Sequence, residues 1–113
     1  MFGLLLRAKF KTMSMAAAKA ELEHDPSIKL IDVRTENEYY EGHLPGSINL
    51  PLNAAGDIEK IVSDKNAKLF IYCQSGRRSH NACSVFSKLG YTDVTNIGGI
   101  TAWTGKIAKG IMK

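Results

Sequence analysis

At 113 residues, with 44% hydrophobic and 23% charged side chains, the chain suits one compact globular domain and excludes disorder and low complexity. Its formal charge of +4 favours anionic partners. The excess gathers toward the ends (Arg7, Lys9, Lys11; Lys106, Lys109, Lys113), where Phe10 is the one interleaved aromatic, too little to argue for nucleic acid.

In chain order, residues 1–8 open with an apolar run, Met1 to Leu6, that basic residues follow rather than precede. The run lacks a small-residue cleavage site and reads as a partly ordered leader, with a basic amphipathic anchor as the alternative. The longest uncharged runs, 44–56 and 94–105, are too short and too polar to span a bilayer, so a membrane partner is not expected. The domain is expected over 9–105, with 106–113 as a C-terminal tail. Lys9 to Met13 suits a short edge strand. Ser14 is an N-cap residue type, and Met15 to Glu23 are good helix formers, stopped by His24, Asp25 and Pro26. Lys29 to Val33 reads as a buried strand. Thr35 with Glu38 three residues on forms a capping box for a short helix toward Glu41, closed by Gly42. Ser47 to Leu50 is a brief strand fenced by Pro45-Gly46 and Pro51, and Ala54 to Val62 a weaker helix. Lys68 to Tyr72 is the clearest strand. Cys73 to Arg78 follows as a polar turn, then Ser79 to Leu89 as a helix with Ala82, Cys83, Phe86 and Leu89 at core spacing. Gly90 suits the position just past its end. Val94 to Ile97 is a last strand, and Gly98-Gly99 leads to a turn bearing Trp103.

Strands alternating with helices imply crossovers, hence an α/β fold: a small, mostly parallel sheet with helices on both faces. Such sheets place ligands at the carboxyl ends of their strands, where Cys73 falls. Two cysteines, Cys73 and Cys83, are too few for a disulfide framework and pair with none of His24, His43 and His80 as zinc ligands. A reduced thiol, no metal and a cytoplasmic setting are therefore expected.

Three effects converge on the Cys73 sulfur. A loop between strand and helix can turn successive backbone N–H groups inward. The helix that follows presents unsatisfied N–H groups and the positive end of its dipole. Arg77 and Arg78 add charge that cannot be titrated away. Each favours thiolate over thiol, lowering a pKa of about 8.5. Gly76 lets the backbone curl closely around the sulfur.

The stretch from Ile31 to Asn49, containing Asp32-Val33-Arg34, Glu38-Tyr39 and Gly42-His43-Leu44-Pro45-Gly46, resembles the first half of the rhodanese homology domain. Cys73-Gln74-Ser75-Gly76-Arg77-Arg78-Ser79 resembles its active-site loop, and Gly90-Tyr91, Gly98-Gly99 and Trp103 its closing signatures. The likeness runs over about residues 12 to 105. It implies a sulfurtransferase that carries sulfane sulfur as a persulfide on Cys73. Gln74, Ser75, Gly76, Arg77 and Arg78 would then be the loop whose amides hold that persulfide, with Ser79 starting the helix behind it. Asp32 and Arg34 match a buried segment that supports the loop, with an Arg34–Glu38 pair at the strand end. No cofactor is implied.

Related phosphatases and arsenate reductases place one more residue between cysteine and arginine, making a ring for a tetrahedral oxyanion. The tighter spacing from Cys73 to Arg78 suits a single sulfur. The expected partners are a small anionic sulfur donor such as thiosulfate and a thiol or protein acceptor, with the chain a monomer. A persulfide carrier or protein-docking module with little small-molecule turnover is the alternative. His80 is expected exposed, His43 in local hydrogen bonding, His24 at a helix end, and Cys83 and Trp103 in packing roles.

Overall fold

The computed structural model describes residues 9–111, and the expected leader over 1–8 lies outside them. Five strands make one sheet: β1 (Lys11–Thr12), β2 (Lys29–Asp32), β3 (Ile48–Asn49), β4 (Lys68–Cys73) and β5 (Asp93–Gly99). Their lateral order is β1-β5-β4-β2-β3, and every neighbouring pair is parallel. Parallel neighbours need crossovers, which α1 (Met15–His24), α2 (Glu36–Glu41), α3 (Arg77–Lys88) and a 3-10 stretch (Leu52–Lys60) supply. The architecture is the expected α/β one.

β4 runs through the middle, buried from Leu69 to Cys73, and its alternating side chains divide the core in two. Leu69, Ile71 and Cys73 pack with Ala82, Cys83 and Phe86 of α3 and with Ala55 and Ile58 of the 3-10 stretch. Phe70 and Tyr72 pack on the other face with Met15 and Ala18 of α1. Between β4 and β5 the register shifts: Ile71 pairs with Asn96, but Tyr72 pairs with Gly98 and Cys73 with Gly99. Ile97 is thus one extra residue on β5, a bulge that sets two glycines opposite the end of β4.

Local signals act as the sequence indicates at two helix starts. Ser14 Oγ accepts from Ala17 N–H at 3.1 Å, and Thr35 and Glu38 close a complete capping box. Most strand ends move by a residue or two, with β5 running on through Gly98 and Gly99, and two helical segments differ in ways that bear on the site. The segment expected as an α-helix over Ala54 to Val62 is a 3-10 helix over Leu52–Lys60. Its buried residues, Ala55 and Ile58, are three apart, the spacing that a three-residue turn stacks on one face. Helix α3 begins at Arg77, not Ser79, because Gly76 takes the N-cap position with a left-handed φ of 106° and no side-chain cap. The last turn of the expected polar loop is therefore the first turn of α3.

Beyond Trp103 the chain returns to α2. His43 and Ala108 exchange backbone hydrogen bonds of 2.9 and 2.8 Å, and Gly110 N–H donates to Tyr40 O at 2.8 Å. Trp103 packs partly buried against the α1-side core, its indole N–H donating to Lys106 O at 2.8 Å.

Candidate active site

Cys73 closes β4 at its carboxyl end, and its thiol is 1% exposed at the floor of the turn into α3. The sulfur is buried among donors. Gly76 N–H donates to Sγ at 3.0 Å, and the backbone N–H groups of Ser75 and Ser79 lie near enough to favour its charged form. The Ser79 hydroxyl stands 3.4 Å away. Burial alone would push the thiol pKa up; the Ser79 hydroxyl and the three amides outweigh it, and the group sits below its ordinary value.

The inward amides follow from how the loop is pinned outside. The Gln74 carbonyl turns away from the sulfur toward Thr101, whose N–H and hydroxyl lie 3.5 and 3.4 Å from it. Because a peptide is planar and trans, a carbonyl turned outward turns the next N–H, that of Ser75, inward. Gly99 makes the room: a Cβ there would stand 2.1 Å from Gln74 O.

The two arginines part company. Arg78 makes a two-pronged pair with Glu38 of α2, at 2.8 and 2.9 Å, tying the first turn of α3 to the capping box 40 residues earlier. Arg77 is exposed. The expected Arg34–Glu38 pair does not form. Arg34 folds inward onto Asp32, with Nη2 to Oδ2 at 2.8 Å, and also donates to Gly42 O at 2.6 Å and Gln74 Oε1 at 3.3 Å. Both Asp32 and Arg34 are buried, so each charge needs the other more than Arg34 needs a partner at the surface. Through Gln74 this pair touches the loop without reaching the sulfur.

The remaining expectations fall into place around this centre. His80 is exposed and meets Phe10 edge-on at 5.1 Å. His43 is fully buried, stacked on Tyr39 at 3.6 Å with Nδ1–H donating to Tyr39 O at 2.7 Å. His24 Nδ1–H donates to Ala20 O at 2.8 Å, at the end of α1. Cys83 is sealed in the core, where burial, and then the charge of the Cys73 sulfur, push its thiol up to about 12. A cleft of about 840 Å³ opens beside Arg78, lined by Val33, Thr35, Pro51, Leu52 and Asn53 among others, and Cys73 is not part of its wall.

Three roles at the site are not read from the sequence: Glu38 as the partner of Arg78, Thr101 as the anchor of Gln74, and Asn96 beside Ser79. Asn96 Oδ1 lies 2.7 Å from Ser79 Oγ and 3.0 Å from Gly98 N, and its Nδ2 is 3.4 Å from Gly76 O. The sequence singles out Glu38 for its capping box and as a partner of Arg34, but not of Arg78.

Comparison with known proteins agrees with this geometry. The model of the rhodanese-like domain matches residues 14–106. The chain is 37% identical over 100 residues to the putative sulfurtransferase YtwF of Bacillus subtilis, covering 87% of this chain and 94% of that protein. It is 42% identical over 71 residues to the thiosulfate sulfurtransferase PspE of Escherichia coli, covering 62% and 68%. It is 37% identical over 97 residues to the putative sulfur carrier protein YrkF of B. subtilis, covering 83% of this chain but spanning only about half, 51%, of that protein. Among solved structures, a rhodanese with anions from E. coli superposes with a TM-score of 0.70 at 38% identity, covering 74% of this chain and 99% of that one. With its fold, its loop and its relatives in agreement, the chain belongs to the rhodanese-like domain family, and the relatives named here are proteins named for moving sulfur.

Proposed function

We propose that the chain transfers sulfane sulfur from thiosulfate or a similar anionic donor to a thiophilic acceptor through a persulfide on Cys73. The observation that carries this reading is the set of inward N–H groups at the sulfur, Gly76 at 3.0 Å with Ser75 and Ser79 beside it. Such a cradle favours negative charge on sulfur in the thiolate and again in the persulfide.

In the first half-reaction the Cys73 thiolate attacks the outer sulfur of thiosulfate. The new Cys73 S–S bond forms as the donor's S–S bond breaks, and sulfite leaves with the bonding pair. No proton moves, so no general base is required and His80 has no task. No cofactor enters either half-reaction. Exposed Arg77 draws the dianion toward the loop, whereas Arg78, neutralised by Glu38, holds the loop's shape. In the second half-reaction an acceptor nucleophile, a thiol or a protein thiol, takes the outer sulfur and restores the thiolate. Gln74, Ser75, Gly76 and Ser79 form the wall around the transferred atom. The two unpaired thiols, Cys73 and Cys83, fit work in a reducing compartment such as the cytoplasm.

The test is intact mass after thiosulfate treatment. Wild type gains one sulfur atom and Cys73→Ser gains none; equal behaviour of the two overturns the reading. The likeness to a putative sulfur carrier favours a second reading, a persulfide carrier that loads but turns over slowly with cyanide. Steady-state rates with cyanide set against transfer to a protein thiol separate the two.

A further inference from the structure

Asn96 sits on β5, and only 9% of it is exposed. The backbone fixes which end of its amide is oxygen. Gly98 N–H can only donate, and it lies 3.0 Å from the end that therefore must be Oδ1. The same oxygen is 2.7 Å from Ser79 Oγ. An amide oxygen has no hydrogen to give, so the Ser79 hydroxyl is the donor in that bond. A hydroxyl has one hydrogen, and committing it to Asn96 leaves only lone pairs facing Cys73 Sγ at 3.4 Å. The other acceptor in reach, Gly76 O at 3.0 Å, is already served by His80 N–H at 3.1 Å and by Asn96 Nδ2.

While Cys73 is a thiol, its S–H donates to Ser79 and Ser79 donates to Asn96. Once the sulfur is ionised, or carries a second sulfur, that S–H is gone and Ser79 stands between two acceptors. We propose that Asn96 is a positioning residue acting through Ser79: its amide oxygen holds the hydroxyl hydrogen while Cys73 is a thiol and yields it when the sulfur turns negative.

The change is a rotation of one hydrogen about the Ser79 Cβ–Oγ bond and moves no heavy atom. It orphans nothing, because Oδ1 keeps the Gly98 N–H when Ser79 turns away. Nδ2 keeps its contact with Gly76 O, so the N-cap of α3 stays in place. Asn96 thereby competes with the sulfur for one donor and sets how readily the thiol ionises. The inference rests on the Cys73 chemistry proposed above.

The other ionisable groups around the sulfur are Arg78 on α3 with its partner Glu38 on α2, the Asp32–Arg34 pair beside β4, and the Cys83 thiol on α3. The decisive experiment leaves the charged ones unaltered. In a Cys83→Ala background, so that a single thiol absorbs, thiolate formation is followed by ultraviolet absorbance against pH. Asn96→Leu removes the competing oxygen, and the Cys73 pKa is expected to fall by about one pH unit. In a Ser79→Ala protein the same change is expected to have no effect. A pKa that does not fall, or that falls equally without the Ser79 hydroxyl, overturns the proposal.

Because Asn96→Leu also strips Gly98 N–H of its partner and could unfold the turn, a second measurement keeps the residue at 96. By NMR the Gly98 amide proton should move as Cys73 ionises, when it becomes the lone donor to Oδ1. That movement should shrink in Ser79→Ala, and equal movement in both proteins again overturns the proposal. Persulfide loading by mass is recorded on the same samples. A wild type that never loads sinks the sulfurtransferase reading, while the titrations still decide the role of Asn96.

Discussion

Glu38→Gln isolates the strut between α2 and the sulfur loop. Glutamine has the same length and also serves as the third residue of a capping box, so the bond to Thr35 N–H survives. What disappears is the charge facing Arg78 at 2.8 and 2.9 Å. The Arg78 guanidinium, against the opposing pull of burial and with help from Thr35, holds the Glu38 carboxyl at about 2 instead of 4.5. Converted at about 1.4 kcal/mol per pH unit, that depression amounts to roughly 3 kcal/mol. The two side chains are 34% and 32% exposed, and the Thr35 share persists in glutamine. Solvent screening therefore brings the expected cost down to about 1–2 kcal/mol. A carboxyl whose pKa is lower in the folded chain stabilises fully above its ordinary value of 4.5, and the contribution drains away as pH falls toward 2. Urea titrations of both proteins should show the variant's midpoint lowered near pH 7 with an unchanged slope. The gap should narrow step by step below about pH 4.5. No gap at neutral pH, or a gap that acid leaves intact, would refute the strut.

Two more substitutions probe what surrounds the sulfur. Gly99→Ala places a Cβ 2.1 Å from Gln74 O and 2.6 Å from Ser75 Cα, so the loop must shift; persulfide loading followed by mass should slow by about tenfold or more, and an unchanged rate would mean the loop yields freely. Tyr72→Phe removes the hydroxyl that accepts from Leu44 N–H at 3.0 Å inside the core, and denaturant unfolding should register a loss of about 1–3 kcal/mol. A neutral result there would mean that water replaces the hydroxyl.

The site was legible in the sequence to the extent that it is local. Cys73 at a strand end, Gly76 as the curling point and the Thr35–Glu38 box all depend on neighbours within a few residues, and each stands as read. Errors begin where a side chain chooses a distant partner. Arg34 and Glu38 have the spacing of a helical ion pair, yet Arg34 precedes the helix and its guanidinium is needed inside by Asp32, which leaves Glu38 free for an arginine 40 residues away. Ser79 reads as the first residue of a helix, but the helix starts earlier with Gly76 as its N-cap, which puts the Ser79 hydroxyl inside the first turn and beside the sulfur. Asn96 looks like any polar residue in a strand. Its importance comes from the β5 register and from α3 packing over that face, neither of which a one-dimensional pattern contains.

The extra residue in β5 has a further consequence. Had the two central strands kept step, Ile97 would stand beside Tyr72 and Gly98 beside Cys73, and the notch that admits the Gln74 carbonyl would lie one place too far along. The phase of a neighbouring strand thus gauges the width of the sulfur's seat. Deleting one residue between Asn96 and Gly99 should disturb it more than most exchanges of a loop side chain, although no atom of Ile97 is among the donors at the sulfur.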